Sequence, residues 1–385
     1  MGDLRKENIL KNIKNRKIRM AVCYDFDKTL SPNDMQSFTL IPSLEMDVSK
    51  FWKQSNDLAC SNLMDNNLDW MFQLITLSKA KRKSIKREYF NNVGQSVPLY
   101  HGVVEWFARI NKYAAKKGIE VEHYIISSGL KEIIEGSKIA SEFKRIYASS
   151  YLYSTDGIAE WPAQVINYTN KTQYIFRIAK GFFEEYDERV NDSMKDEDLH
   201  IPYENFVYIG DSATDIPCMK LVNTYGGHSI GVFNPETQDK SKVYTMMAQN
   251  RIKYFAEAIY SKDSNLEKLL KMIIDKTAVT EVLEKRHFEC NAEAESYPTN
   301  CRKDVLINDL EDSMNFLNIR NTINELRKMG VFTVAQNLKI LNAAIQNPQI
   351  RSIFEEKEVK EFYSKILKNT DPESDVSKKV KELFA

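Results

Sequence analysis

Short apolar segments alternate with amphipathic helical segments over roughly the first 235 residues of the chain. Four of these apolar segments are rich in β-branched and aromatic residues and have the length of buried strands. Strands that are apolar on both sides and separated by helices are typical of a parallel sheet covered by helices on both faces. We therefore predict an α/β fold with strands at residues 18–24, 121–126, 206–209 and 229–233.

The hydrophobic pattern changes twice along the chain and so divides it. Residues 31–98 show short amphipathic helical patterns but little strand pattern, which predicts a helical insertion after the first strand. All but one of the 13 glycines lie at or before Gly231, and the chain beyond them has the pattern of helices, with a linker-like segment at 287–300. We predict three parts: a core of residues 1–30 and 99–235, a helical insertion of residues 31–98, and a helical C-terminal extension of residues 236–385.

The composition narrows the class of protein. A chain of 385 residues with 43% hydrophobic and 28% charged residues is long enough for two to three domains and is not wholly disordered or fibrous. Lys and Arg together number 54, as do Asp and Glu, so the formal net charge is zero. The charge therefore indicates no bulk affinity for nucleic acid or other polyanions.

The sequence also bears on location. No apolar run approaches the ~18 residues that a membrane-spanning helix needs, and the first residues lack the apolar stretch of a signal peptide. The five cysteines are odd in number and scattered, which fits reduced thiols. We expect a cytoplasmic protein that makes no membrane contact.

Acidic and hydroxyl residues directly follow three of the predicted strands, and a lysine begins a predicted helix between the last two. The carboxyl ends of parallel strands meet at one edge of a sheet, so these side chains are expected to gather there. Carboxylate oxygens without histidine or thiolate partners select Mg²⁺, which also takes phosphate as a ligand. The sequence therefore predicts a Mg²⁺ cofactor and an anionic substrate at a site built from Asp25, Asp27, Ser127, Lys171, Asp211 and Asp215.

Four short motifs occur in order along the chain: Asp25-x-Asp27-x-Thr29, Ser127, Lys171, and Gly210-Asp211-x-x-x-Asp215. Together they resemble the signature motifs of the haloacid dehalogenase (HAD) superfamily, and in particular its phosphoserine phosphatase-like branch. The match covers roughly residues 18–235. The resemblance implies a HAD Rossmann-like parallel sheet with a helical cap inserted after the first strand.

The resemblance also implies a role for each matched residue. Asp25 would be the nucleophile that forms an aspartyl-phosphate, and Asp27 would be the general acid and base. Ser127 would hold phosphoryl oxygens, and Lys171 would balance their charge. The Mg²⁺ ligands would be the carboxylates of Asp25 and Asp211 and the backbone carbonyl of Asp27. Thr29, Gly210 and Asp215 would support the site.

Substrate contacts are implied for Asp34, Ser128 and Gly129. Asp34 stands where phosphoserine phosphatases carry a glutamate that meets the substrate amine, and Ser128 replaces a glycine. Both departures weigh against phosphoserine as the substrate. Six aromatic residues of the insertion would form mainly its own core, or alternatively line a pocket for an organic leaving group: Phe38, Phe51, Trp52, Trp70, Phe72 and Phe90.

One basic helical face in the insertion has two interpretations. The default is a solvated surface. The alternative is a surface that receives an anionic substrate, such as a nucleotide or a nucleic-acid end. The face consists of Lys79, Arg82, Lys83 and Lys86.

These features predict a Mg²⁺-dependent phosphomonoester hydrolase that acts through an aspartyl-phosphate on a small phosphorylated metabolite. Three alternatives stay open: a phosphotransferase with the same residues, a phosphatase of nucleotides or nucleic-acid ends, and a binding or regulatory module whose helical extension is the functional part. We expect a small phosphorylated substrate as the main partner. The helices of residues 236–385 could also form a homodimer or bind a protein partner.

Overall fold

Seven strands form one sheet in the computed structural model, which describes residues 17–38, 40–83, 85–295 and 299–383. The strand order is β4-β3-β2-β1-β5-β6-β7, and every neighbouring pair is parallel except the antiparallel pair β3 and β4. The predicted α/β fold with a mainly parallel sheet is confirmed. The strands are β1 (Ile18–Tyr24), β2 (Ile119–Leu130), β3 (Arg145–Tyr153), β4 (Ala159–Gln164), β5 (Phe206–Gly210), β6 (His228–Phe233) and β7 (Tyr254–Glu257).

The first strand lies at the centre of the sheet, between β2 and β5. Its side chains alternate between two buried clusters: Val22 and Tyr24 belong to one, and Ala21 and Cys23 to the other. Because both faces of β1 are covered, its sequence is continuously apolar rather than alternating. Five helices between or after the strands belong to this part of the fold: α5 (Val103–Ala115), α6 (Lys131–Glu135), α7 (Thr172–Lys180), α8 (Ile216–Thr224) and α9 (Ser241–Ala248).

The described part of residues 31–98 forms helices and no strand longer than an isolated bridge, as its pattern predicts. Asp47 and Asp65 cap the two long helices by accepting hydrogen bonds from backbone N–H groups of the first turn. Phe51, Leu74 and Phe90 pack in the same buried cluster as β1. The helices are α1 (Leu40–Ser43), α2 (Val48–Asn62), α3 (Asn66–Ala80) and α4 (Arg87–Ser96), preceded by a 3₁₀ turn at Met35–Ser37.

The chain beyond residue 235 corrects the sequence prediction in two respects. Strand β7 lies in the segment that was predicted to contain helices alone, and it extends the sheet beside β6. It has only four residues, of which one is buried, so it lacks the apolar run by which the other strands are predicted. The linker predicted at 287–300 is also wrong as far as residue 295, because α10 (Asn265–Glu295) continues through it.

The described residues divide into two compact units, one ending at Leu283 and the other beginning at Glu284. The division lies well beyond residue 235, because α9, β7 and the first part of α10 belong to the first unit. The second unit has its own buried core, which includes Ile323, Leu341 and Phe362. Nowhere in the described ranges is a helix both long and apolar enough to cross a bilayer. The helices that lie wholly in the second unit are α11 (Thr299–Asp312), α12 (Phe316–Lys328), α13 (Val334–Gln346), α14 (Pro348–Ser352), α15 (Lys357–Lys368) and α16 (Asp375–Glu382).

Candidate active site

The turn after β1 positions the first two acidic residues. The backbone N–H of Asp25 donates to the carbonyl of Ile209 at 3.0 Å, which extends the pairing of β1 with β5 by one residue. The chain then bends: Lys28 has a left-handed φ of 57°, and the N–H of Leu30 donates back to the carbonyl of Phe26 at 2.9 Å. The turn therefore takes Asp27 out of the strand and places its carboxylate 2.7 Å from the backbone N–H of Met35.

The sequence-predicted lysine lies beside two of the predicted carboxylates. Lys171 precedes α7, and its side chain is completely buried. Its Nζ is 2.8 Å from Asp215 Oδ1 and 3.3 Å from Asp25 Oδ1. Burial alone would lower the pKa of Lys171, but the carboxylates of Asp215 and Asp25 raise it above its ordinary value. Lys171 is therefore a fixed positive charge between these two acids.

Asp215 is held in place by hydrogen bonds to both of its carboxylate oxygens. Besides Lys171, the hydroxyl of Tyr208 donates to Oδ1 at 2.9 Å, and Ser212 donates to Oδ2 through its hydroxyl at 3.2 Å and its backbone N–H at 3.3 Å. A Cβ at Gly210 would lie 2.6 Å from Asp215 Oδ2, so only glycine fits there. Tyr208 and Ser212 were missed by sequence reasoning, because a tyrosine inside a buried strand carries no signal of this contact.

Asp211 completes a group of three acids. Oxygens of Asp25, Asp211 and Asp215 all lie within 4.8 Å of one another. Burial, together with the charges of Asp215 and Asp25, raises the pKa of Asp211 to about 8. Burial and the charge of Asp215 likewise raise the pKa of Asp25 to about 6. Three crowded carboxylates with a single buried lysine carry surplus negative charge, and a bound cation would relieve it.

The three acids offer oxygens that suit a hard divalent cation such as Mg²⁺. Asp25 Oδ1 is buried and accepts no hydrogen bond, and within the described chain no hydrogen bond reaches the carboxylate of Asp211. Asp211 also lines a cavity of about 190 Å³ together with Lys28, Tyr100 and Lys242. These observations fit a cation held by Asp25 and Asp211, with Asp215 already occupied by its hydrogen bonds.

Ser127, Thr29 and Gly129 lie near the carboxyl ends of β1 and β2. Ser127 is buried and is one of the groups that lower the pKa of Asp25 against the larger effect of burial, and its Oγ accepts from the N–H of Gly129 at 3.1 Å. Thr29 is also buried, and its carbonyl accepts a hydrogen bond from the Tyr260 hydroxyl at 2.8 Å. The contact with Tyr260, which lies far along the chain, fixes the turn that carries Asp27.

The second acid of the first motif lies in a different environment from Asp25. Burial, with the charges of Asp34 and Asp25, raises the pKa of Asp27 well above its ordinary value. Asp34 is itself paired with Lys28, whose Nζ lies 2.9 Å from Asp34 Oδ1. The raised pKa favours the protonated form of Asp27, which is the form that a general acid needs.

A cavity of about 220 Å³ joins Asp27 to the helical insertion. It divides the six aromatic residues discussed above. Trp52 and Trp70 line the cavity, whereas Phe51 and Phe90 are buried in the core, Phe38 is half-buried against that core, and Phe72 is partly exposed. Asp34, Ser128 and Gly129 also line it, so these three predicted substrate contacts are brought together beside Asp27.

The predicted basic face lies elsewhere. Lys83 pairs with Glu45 at 2.9 Å, and so does Lys81 at 3.4 Å. None of Lys79, Arg82, Lys83 and Lys86 is among the described residues that line the cavity. This arrangement agrees with a solvated surface.

Comparison with known protein families identifies the class to which the chain belongs. Residues 22–220, slightly more than half of the chain, match the model of the haloacid dehalogenase-like hydrolase family. The chain belongs to this family, and the family prediction is confirmed.

Individual relatives are more distant. The chain is 28% identical over 274 residues to an uncharacterized protein of Borreliella burgdorferi, which covers 64% of this chain and 93% of the relative. Among solved structures it is similar to a HAD family hydrolase of Salmonella enterica serovar Typhi, with 17% identity, a TM-score of 0.44, and coverage of 66% of this chain and 70% of the other. A phospho-aspartyl intermediate analogue of phosphoserine phosphatase is also similar, with 17% identity, a TM-score of 0.41, and coverage of 66% and 99%.

Proposed function

We propose that this protein is a Mg²⁺-dependent phosphomonoester hydrolase that acts through an aspartyl-phosphate on Asp25. This proposal rests mainly on the surroundings of Asp25 Oδ1. This oxygen is buried, accepts no hydrogen bond within the described chain, and lies 3.3 Å from the ammonium group of Lys171. An oxygen with a free lone pair beside a fixed positive charge is suited to attack an anionic phosphoryl group.

Asp25 and Asp211 would hold the Mg²⁺ ion with their carboxylates, together with the backbone carbonyl of Asp27. When bound, Mg²⁺ would offset the surplus negative charge and orient the phosphoryl oxygens. Asp215 would support the site indirectly, because its oxygens are already engaged by Lys171, Tyr208 and Ser212.

In the first half of the reaction, an oxygen of Asp25 attacks phosphorus and the bond between phosphorus and the ester oxygen breaks. Asp27 gives its proton to the departing oxygen, which leaves as the alcohol. Lys171 and Ser127 lie beside Asp25 and stabilise the charge of the transferred group. The products of this half are the free alcohol and the phosphorylated Asp25.

In the second half, Asp27 is ionised and takes a proton from a water molecule that attacks phosphorus. The bond between phosphorus and the Asp25 oxygen breaks, which releases phosphate and restores the carboxylate. Asp27 regains its proton in the same step. The helices of residues 31–98 contribute residues to the cavity beside Asp27 and would thereby limit the access of other water.

The proposal is tested by measuring phosphate release from p-nitrophenyl phosphate and from a panel of metabolite monoesters, with and without Mg²⁺. Asp25→Asn should abolish release, because the amide cannot act as the nucleophile. Asp156→Asn is the matched control, since Asp156 is an exposed aspartate in the turn between β3 and β4 and belongs to none of the four motifs. It should retain full activity.

Reduction with borohydride during turnover gives a second readout. An acyl-phosphate on Asp25 would be converted to homoserine, which mass spectrometry locates in the peptide that contains residue 25. Release of phosphate without an added alcohol acceptor supports hydrolysis rather than transfer. Absence of phosphate release from every ester, together with no modified residue 25, would overturn the proposal.

A further inference from the structure

The cavity beside Asp27 is small and lies where the leaving group of the proposed reaction would sit. Asp27, the proposed acid, forms part of its wall, and Trp52, Ser55 and Trp70 of the helical insertion form much of the rest. Its volume of about 220 Å³ is below the ~300–1,000 Å³ typical of sites for drug-sized ligands. The leaving group that fits is therefore a small alcohol rather than a nucleoside.

Two indole rings give this cavity its aromatic character. Trp52 and Trp70 lie edge to face, with ring centroids 6.3 Å apart. The N–H of Trp70 donates to Asn67 Oδ1 at 3.3 Å, so the polar edge of this ring is already engaged. The ring faces carry partial negative charge, and a cation within ~6 Å of such a face is attracted to it.

The charged groups near the indoles are acidic. Asp27 and Asp34 line the cavity, and none of its described lining residues is Lys, Arg or His. Behind the wall, Ser55 donates its hydroxyl hydrogen to Asp69 Oδ2 at 2.5 Å, and Asp69 is completely buried. Because its hydrogen is committed to Asp69, the Ser55 oxygen can only accept hydrogen bonds from a ligand.

One cationic side chain, Lys28, lies close to the cavity, but it does not change the acidic character of the cavity wall. Lys28 is paired with Asp34 and lines the separate cavity next to Asp211. The pair is neutral as a whole and provides no free positive charge for a second anionic group. A leaving group with a carboxylate or a second phosphate would meet only neutral donors among the described residues of the cavity wall, such as the Ser128 hydroxyl, and no free cation to offset the cost of its desolvation.

We propose that the leaving group is a small alcohol that carries a positively charged ammonium group, bound against the indole rings of Trp52 and Trp70 and by the acceptor oxygens of Asp34 and Ser55 in the cavity wall. This inference rests on the proposed function and names the class of its substrate: phosphate esters of amino alcohols, whether the nitrogen is primary or quaternary. Indole faces recognise quaternary ammonium groups particularly well, because their methyl groups spread the charge over a large contact area.

The test compares two esters of the same shape, choline phosphate and 3,3-dimethylbutyl phosphate, in which a carbon atom replaces the charged nitrogen. The wild-type protein should have a kcat/KM at least tenfold higher for choline phosphate. Trp52→Leu should bring the ratio of the two kcat/KM values close to one. Phe72→Leu is the control: Phe72 lies in the same insertion, is partly exposed against Trp161 and does not line the cavity, so the ratio should be unchanged.

A second measurement separates failure of this inference from failure of the proposed function. Choline and 3,3-dimethylbutanol are titrated while indole fluorescence is followed, which requires no turnover. Choline should quench at lower concentration than the neutral alcohol, and Trp52→Leu should remove the difference.

Each outcome decides one of the two proposals. Equal or better hydrolysis of the neutral ester, or a preference for sugar bisphosphates, would overturn the ammonium assignment and leave the proposed hydrolase activity unaffected. Selective choline binding without hydrolysis of any ester would overturn the hydrolase and keep the cation site. If choline does not bind selectively and no ester is hydrolysed, both proposals are overturned.

Discussion

The ammonium group of Lys171 lies 2.8 Å from Asp215 Oδ1, and both side chains are completely buried. A buried pair of this kind gains little net stability from its formation, but it becomes costly when one partner is removed. Here the same lysine also approaches Asp25, so the pair connects the stability of the fold to the charge balance of the site.

We expect Lys171→Met to destabilise the protein by about 3–5 kcal/mol, because two buried carboxylates lose their positive partner. The free energy of unfolding is measured by urea denaturation without Mg²⁺. Lys180→Met is the control, because Lys180 lies at the end of the same helix and donates to backbone carbonyls near the surface. A loss below about 1 kcal/mol for Lys171→Met would contradict the role of this pair.

We expect Asp27→Ala to slow phosphate release by ~10²–10⁴-fold, the usual contribution of a general acid and base. The affinity for Mg²⁺ should change little, because only the backbone carbonyl of Asp27 is proposed to meet the ion. Isothermal titration with Mg²⁺ checks this. Asp211→Asn provides the contrast: it should weaken Mg²⁺ binding strongly. If Asp27→Ala weakens Mg²⁺ binding as much as Asp211→Asn does, then the side chain of Asp27 binds the ion and its assignment as general acid and base alone is wrong.

The sequence is sufficient to predict the sheet, the helical insertion and the grouping of acids, because each depends on a local pattern. Buried strands such as Phe206–Gly210 have a continuous apolar signature, and the chain must end each parallel strand at the same edge. Asp25, Asp211 and Asp215 follow strands that are neighbours in the sheet, so their grouping follows from the topology.

Other features depend on contacts between distant segments and could not be predicted. Whether an aromatic residue of the insertion lines a cavity or fills a core depends on how its helix faces the sheet. Trp52 and Phe51 are adjacent in sequence, yet one lines the cavity and the other is fully buried. The hydrogen bond from Tyr208 to Asp215 could not be predicted from the sequence either. A tyrosine in a buried strand gives the same hydrophobic pattern whether or not its hydroxyl has a role.

We expect Gly210→Ala to reduce both stability and turnover. The added Cβ would lie 2.6 Å from Asp215 Oδ2, and Asp215 cannot move aside without leaving Lys171. Overpacking of this kind typically costs ~1–3 kcal/mol. Thermal unfolding and phosphate release are both measured. Gly118→Ala separates the two effects, because Gly118 has a φ of 77° with open space around it: it should lower stability and leave turnover intact.

The last prediction concerns Glu122, a buried carboxylate in β2. Burial opposes its ionisation, but hydrogen bonds from His200, Lys144 and Tyr124 lower the pKa of Glu122 from 4.5 to about 2. Lys144 Nζ lies 2.5 Å from Oε1, and His200 Nε2 lies 2.9 Å from Oε2. These partners hold the ionised form in the folded state and have no counterpart in the unfolded chain.

A carboxyl group whose pKa is lowered by folding contributes stability above its unfolded pKa and loses it as the pH falls toward its folded pKa. We expect Glu122→Gln to lower the free energy of unfolding at pH 7 by about 2 kcal/mol, which is less than the full pKa shift implies because solvent screens part of the interaction. The difference from wild type should shrink between about pH 5 and about pH 2, where wild-type Glu122 also becomes neutral. Urea denaturation across this pH range measures the difference in the free energy of unfolding.

The control is Glu120→Gln. Glu120 is half-exposed and forms loose ion pairs with Lys17 and Arg19, so the free energy of unfolding of this variant should differ from that of wild type by less than about 1 kcal/mol at every pH. A pH-independent loss in Glu122→Gln would mean that packing, rather than the charge of Glu122, stabilises this end of the sheet.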